Sequence, residues 1–513
     1  MCIVSFVFAA CNNNNPENDD SGTTDTAVNT GNDEDDFVEK QTWNSTVSII
    51  WDGASVTVSG LVDGVVETSN SNGYLVITST SKHIEYAVSG SGTGQLKIYS
   101  DYKFKLSLNE LTLSCPDGPA INNQCGKSCY LVLSGTNTLS DGTTYTDSTE
   151  DQKAALFSEG QLLVSGNGAL IVTGNYKHAM ASDDYIRLRG GDISLTAKVS
   201  DGLHANDGII IDDGTLTVSA AGDAIQCDTS SIVIAGGVIT VTAAGDKGIL
   251  ACTDIIISGG RISVNSVDKG IKAGGNLTVS DGDITVVCSG GSSSSRFPGP
   301  GGGGMQPGGG NDSSGPEAIE SKAKITISGG RVYAQSSDDA INSGSDMTIS
   351  GGYVCAYSTG NDGLDANGNL YISGGVVYAI GTSSPEVAVD ANSEGGYKLY
   401  LSGGTVIAIG GLESGSTLSQ SCYTASSWSS NTWYALYSGN DLTLAFRTPA
   451  SGGSGLVVST ASAPSLTAGV TATGGTSLFN GMALLAPSVS GGSSVSLSSY
   501  SGGNQGGDPG RRR

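Results

Sequence analysis

Basic side chains are scarce in this chain. Its 513 residues hold 24 Lys and Arg against 49 Asp and Glu, a net charge of −25. No run of Lys or Arg could neutralise phosphates, which argues against nucleic acid and anionic membrane surfaces as partners. The sole basic cluster is Arg511-Arg512-Arg513 at the end of the chain. There are three His and no Cys-x-x-Cys pair, so a zinc site is not expected. After the first eleven residues no segment approaches the roughly 20 apolar residues of a membrane span. The 77 Gly show no G-X-Y period, which excludes collagen. Regular Val, Ile and Leu exclude a disordered chain. The length exceeds one ordinary compact core, so several domains or an elongated repeat is expected.

What the chain does have begins with an address. Residues 1–10 read MCIVSFVFAA and precede Cys11. Small residues before a Cys suit a lipoprotein signal peptidase, with Cys11 taking the lipid. Residues 12–40 are mainly polar and aperiodic, as a disordered tether would be. These features predict a chain anchored to a membrane only through its N-terminal lipid. It would sit outside the cytoplasm, at the outer membrane or cell surface.

The middle of the chain repeats. Gly-Gly or Asp-Gly pairs end at Gly191, Gly214, Gly237, Gly260 and Gly282, and again at Gly330, Gly352, Gly375 and Gly404. The spacing is mostly 22–23 residues, the mark of a solenoid. Each unit has three short apolar sets of period two and no helical stripe. This predicts an all-β, right-handed parallel β-helix of about eleven coils over residues 41–411, roughly 50 Å long at ~4.8 Å per strand. Ile193, Leu195, Ile239, Val241, Ile262, Val264, Val332, Ala334, Val377 and Ala379 would point inward, as would Cys227. Residues 41–100 would cap the N-terminal end. A Gly/Pro-rich insertion, residues 289–316, leaves one turn. Residues 412–500 lose the period and predict a small all-β domain closing the C-terminal end, and residues 501–513 a disordered tail.

The turns carry the candidate chemistry. One repeat column holds His178, Asp201, Asp223, Lys247, Lys269, Glu317, Asp339 and Asp362. Three residues further on, an exposed column holds His204, Gln226, Leu250, Lys272, Glu320, Asn342, Asp365 and Asp390. A β-helix stacks like positions, so acids would lie one strand spacing apart. Two unit charges ~4.8 Å apart repel by about 0.9 kcal/mol in water and about 3.5 kcal/mol at an effective dielectric of 20. Protons or cations must relieve that. Asp, Asn and carbonyl oxygens suit Ca²⁺. Two pockets are expected. One joins Asp183, Asp184, Asp201, Asp207, Asp223 and Asp228. The other joins Asp338, Asp339, Asn361, Asp362 and Asp365 with Asp390. One Asp per coil would also follow from turn preference alone.

Tyr333, Tyr353 and Tyr378 follow the Gly-Gly pairs at outward positions. Tyr333 and Tyr378 would either stack on sugar faces or pack under the C-terminal domain. His204, Lys247, Lys269 and Lys272 are candidate ligand contacts, the lysines also offsetting ridge charge.

Several stretches together resemble a known family. They are residues 105–113 (KLSLNELTL), 117–121 (DGPAI), 135–142 (GTNTLSDG), 174–178 (GNYKH) with 181–184 (ASDD), the DGL, DAI and KGI turns, the Gly/Pro loop, and 444–449 (LAFRTP). In this order they resemble bacterial β-helix carbohydrate-binding lipoproteins, similar in fold to β-helix pectate lyases. The resemblance implies a non-catalytic, calcium-assisted binder of plant-type or acidic polysaccharide, pectin, polygalacturonate or cellulose. A lyase or epimerase acting on uronates stays open, with Lys247, Lys269 or Lys272 as base beside Asp223, Asp246 and Asp268. So does a surface adhesin or structural rod.

Overall fold

The computed structural model describes residues 34–290 and 315–502. Cys11, residues 12–33 of the expected tether, most of the Gly/Pro insertion and the tail from 503 onward lie outside these residues.

The chain is a parallel β-solenoid. One coil shows how the sequence builds it. Strand Ile255–Ser266 bends at Gly259-Gly260, so that 255–257 pairs with Ile232–Ile234 and 261–264 with Val238–Ala244. Then Ile271–Ala273 pairs with Ile249–Ala251. The coil thus has three faces, called first, second and third in chain order. The bend needs glycine. Gly260 has φ +85°, and a Cβ there would stand 2.8 Å from the Gly236 carbonyl oxygen of the previous coil.

First and second faces run together into a 26-stranded sheet, and the third forms a 14-stranded one. Alternate residues point inward and meet their counterparts one coil away. Every inward residue named above is at most 1% exposed, Cys227 included. One apolar cluster runs from Val47 to Val457, which is why no coil stands alone.

The third face holds thirteen parallel strands from Tyr74–Ser79 to Val389–Ala391, a rod of roughly 58 Å. This exceeds the expected eleven coils because residues 74–100 join the solenoid. Ser45–Gly53 already pairs in parallel with Ile84–Thr93. Two antiparallel strands, Ser55–Ser59 and Val65–Ser71, pair with the first strands at this end.

Residues 34–40 are docked, unlike the tether expected there. Asp36 is buried and ion-paired with Arg187 Nη1 at 2.8 Å, Tyr185 donates its hydroxyl to the same carboxylate, and Phe37 lies under the Arg189 guanidinium.

The C-terminal residues do two things. Leu456–Ser459 pairs antiparallel with 406–409 of the last coil and with Cys422–Ala425, closing the end. A six-stranded antiparallel sheet between Trp433 and Ser494 lies along the flank instead. Its Leu436, Leu444, Phe446 and Leu466 cover outward second-face residues Tyr333, Cys355, Tyr378, Ile380, Ile407 and Ile409. Tyr378 is fully buried, 5.5 Å from the Phe446 ring, and donates its hydroxyl to the Arg447 carbonyl at 2.9 Å. Tyr333 is 6% exposed in the same cluster. The sugar-stacking role considered for Tyr333 and Tyr378 is therefore corrected: a docked sheet already occupies their faces.

Candidate functional site

From Leu203–Ala205 to Val389–Ala391 each third-face strand is three residues long, with its ends inward and its middle residue outward. The register stacks His204, Gln226, Leu250, Lys272, Glu320, Asn342, Asp365 and Asp390 in one ladder. The column three residues earlier forms its wall. Backbone geometry gives the wall acids a structural task. Asp201 Oδ1 accepts the Asp223 amide at 2.9 Å, Asp223 Oδ1 the Lys247 amide at 2.7 Å, and Asp339 Oδ1 the Asp362 amide at 3.0 Å. One oxygen of each carboxylate thus ties the next turn, leaving the other for side chains.

At the N-terminal end of the ladder, the rings of His178 and His204 stack with centroids 4.2 Å apart. Asp201 Oδ2 lies 3.0 Å from His178 Nδ1 and 3.2 Å from His204 Nδ1. All three residues are buried. Burial opposes the charge of Asp201, but hydrogen bonds from both imidazoles win and hold its carboxyl well below the usual range. Burial and the neighbouring ring push the His178 pKa down.

The six acids expected to share the first pocket do not form one cage. Asp183, Asp184, Asp207 and Asp228 follow the short strands, whereas Asp201 and Asp223 precede them. His204 separates the two sets, with Nε2 3.3 Å from Asp228 and Nδ1 facing Asp201. The outer acids have partners: Asp183 pairs with Lys153, Asp184 accepts from Gln161 at 2.7 Å, and Asp207 from Thr229 at 3.0 Å. Asp223 is left with its carboxyl pushed up to about 6 by burial.

In mid-rod the lysines are bound to acids. Lys269, 3% exposed, lies 3.0 Å from Glu317. Lys272 sits 3.5 Å from Glu320, which also pairs with Lys322. Lys247 is 2.9 Å from Asp246 and 3.8 Å from Asp268. Burial works against the Lys247 charge, yet Asp246, Asp223 and Asp268 hold its pKa above the ordinary value. A lysine kept protonated is a poor proton acceptor. Burial also removes Lys269 and His204 from direct contact with a polymer, correcting their expected ligand role.

The C-terminal end of the ladder gathers acids around Asn342, with Lys269 meeting Glu317 at their edge. Asn342 Nδ2 is 3.1 Å from Asp339 Oδ2, 3.2 Å from Glu317 Oε1 and 3.4 Å from Asp365 Oδ2. Asp338 accepts from Asn361 at 2.8 Å on the half-buried rim. Asp339, Asp362, Asp365 and Asp390 are all buried. Burial first, then mutual repulsion, pushes Asp339 well above the carboxylate range. Burial likewise carries Asp362 to about 8, and burial with a Glu413 hydrogen bond carries Asp390 to about 11. Buried carboxyls raised in this way are relieved by protons or by a cation, and their oxygen donors fit Ca²⁺. Here the structure brings the expected residues Asp339, Asp362 and Asp365 together.

His178, Glu317, Glu320 and Asn342 were placed in the two columns by the 22–23-residue register but not assigned to a site. Glu413, which follows the last repeat, was not named from sequence. An outward stacked pair on the first face, Tyr371 and Tyr400, was also missed, with centroids 5.0 Å apart.

A parallel β-solenoid with a polar ladder along one face defines a class of elongated repeat scaffolds with an extended lateral surface. More specifically, the family described as "Carbohydrate-binding domain-containing protein" matches residues 71–266 and 232–363, more than half of the chain. The chain belongs to that family. No curated protein matches it. Among solved structures, it is similar to the "polysaccharide lyase-like protein from C. thermocellum, Gadolinium derivative". The identity is 24%, the match covers 48% of this chain and 95% of that one, and the TM-score is 0.34.

Proposed function

We propose that the chain binds polysaccharide along its third face without turning it over. The polymer is a plant-type or acidic one, polygalacturonate, pectin or cellulose, and Ca²⁺ assists. One observation carries this reading: the acids Asp339, Asp362 and Asp390 sit buried, with carboxyls raised by burial and by one another, at one end of a mostly polar ladder. These side chains would hold the ion, and Ca²⁺ accepts further oxygen ligands, such as a uronate carboxylate. Gln226, Leu250 and Lys272, half-buried in mid-ladder, offer hydrogen bonds and apolar contact to sugar rings. Ion-paired lysines along the same face weigh against elimination chemistry. A lipid on Cys11 would present the rod outside the cytoplasm.

The test is retention of the full chain on polygalacturonate, cellulose and chitin, with Ca²⁺ or with chelator, while the supernatant is read for unsaturated products. Calcium-dependent retention without products supports the proposal. Products would make Lys247 and Lys272 candidate bases. No retention on any polymer would overturn it and favour an adhesin.

A further inference from the structure

We propose that His178, Asp201 and His204 form a site for one divalent transition ion, Zn²⁺ foremost, separate from the oxygen-rich acids at the other end of the ladder. Two of the three histidines in the chain stand here on consecutive coils. Their ligand atoms and the Asp201 carboxylate lie within 4.8 Å of one another. Neighbouring ligands on zinc, at bond lengths of about 2.0–2.2 Å and angles between square and tetrahedral, stand about 2.8–3.6 Å apart. The two Nδ1 to Oδ2 separations, 3.0 and 3.2 Å, fall in that range.

The surrounding hydrogen bonds place the protons to match. His204 Nε2 lies 3.3 Å from Asp228 Oδ2, which keeps a proton on that nitrogen, so an ion can displace the Nδ1 proton that Asp201 otherwise accepts. This is the carboxylate–histidine–metal arrangement that fixes a ligand's tautomer. His178 Nδ1 lies 3.0 Å from Asp201 Oδ2 and 3.3 Å from the Asp201 amide, and a bound ion would take the place of that amide as the partner of its lone pair. Asp201 Oδ1 is held by the Asp223 amide at 2.9 Å, which leaves Oδ2 directed at both rings. Three lone-pair donors then meet in a buried pocket, with exposures of 4% for His178, 7% for Asp201 and 6% for His204. A shared cation relieves their repulsion. Two imidazoles and one carboxylate select Zn²⁺ or a similar ion over Ca²⁺, which takes oxygen ligands. Three protein donors leave a further position for a water or substrate oxygen.

The experiment uses the untagged full chain freed of metal by chelator and dialysis. Titration with Co²⁺ should produce visible d–d bands that saturate at one equivalent. Zn²⁺ should bleach them, excess Ca²⁺ should not, and one equivalent of Zn²⁺ should raise the melting temperature. His204→Gln and His178→Gln, each checked for fold by circular dichroism, should abolish the bands. Asp228→Asn, which alters only the outer partner, should weaken binding by about 10–100-fold. A folded chain without bands and without one-equivalent Zn²⁺ binding would overturn the proposal. Bands that persist in both folded histidine variants would do the same, by locating the ion elsewhere. In either case the ring nitrogens simply donate protons to Asp201.

Discussion

Removing calcium should make the rod lose stability as pH rises from 5 to 8. The acids at the C-terminal end of the ladder set the sign. Asp362 has its folded-state pKa pushed up to about 8, mainly by burial, against about 3.9 in an unfolded chain. Below pH ~4 both states hold the proton and nothing is lost. Between pH ~4 and ~8 the unfolded chain releases a proton that the folded chain keeps, so folding becomes less favourable with each pH unit. For this one group the three units from pH 5 to 8, at 1.36 kcal/mol each, amount to about 4 kcal/mol, and Asp390, raised to about 11, extends the loss beyond pH 8. Unfolding entropy of about 2.1 cal/mol/K per residue makes 1 kcal/mol worth about 1 °C in a chain of this length. A fall of about 4 °C between pH 5 and 8 is therefore expected in chelator. Calcium bound as proposed would replace the protons, and at a hundred times its Kd would contribute about 2.7 kcal/mol. The gap between the two melting curves should be small at pH 5 and grow through pH 8. Asp362→Asn, which keeps an oxygen for the Val387 amide at 2.6 Å, should lessen the slope of the chelator curve. Differential scanning calorimetry decides. A chelator curve that is flat or rises between pH 5 and 8, or a calcium shift independent of pH, would refute the reasoning.

Three further outcomes follow from packing. Tyr378→Ala should cost about 3–5 kcal/mol and lower the melting temperature of the whole chain, because the ring fills the seam under the flanking sheet; unchanged melting with lost glycan retention would show a binding role instead. Gly352→Ala should destabilise by about 1–3 kcal/mol from backbone strain, since φ is +75° and a Cβ would stand 2.6 Å from the Gly329 oxygen; denaturant unfolding measures it, and a neutral result would contradict the bend geometry. Asp36→Ala should free residues 34–40 for limited proteolysis while the rod melts as before, because Arg187 keeps Asp212 at 2.7 Å; cleavage rates equal to those of the unaltered chain would mean the segment is held by Phe37 and Tyr130 contacts alone.

The solenoid was legible in the chain because its cause is local and repeated. A glycine pair every 22–23 residues sets the bend, and period-two apolar sets choose inward Ile262 and Val264 without long-range information. Stacking then placed His204 and Asp390 in one ladder before any coordinates were needed. What the repeat could not convey is what covers its outer surface. Tyr333 and Tyr378 occupy outward positions, and only the flanking sheet, which lies between Trp433 and Ser494 in the chain, turns them into core. Nor could spacing divide the acids. Asp201 and Asp228 look equivalent as turn residues, yet the His204 ring stands between them. Lysines neutralise mid-rod acids where Lys269 meets Glu317, while Asp339, Asp362 and Asp390 meet mainly each other. The sequence by itself determined the coil, its period and which residues form its interior. Tertiary structure alone decided which outward charges are paired, which are buried together and which faces are occupied, because those depend on side chains from different coils meeting across space.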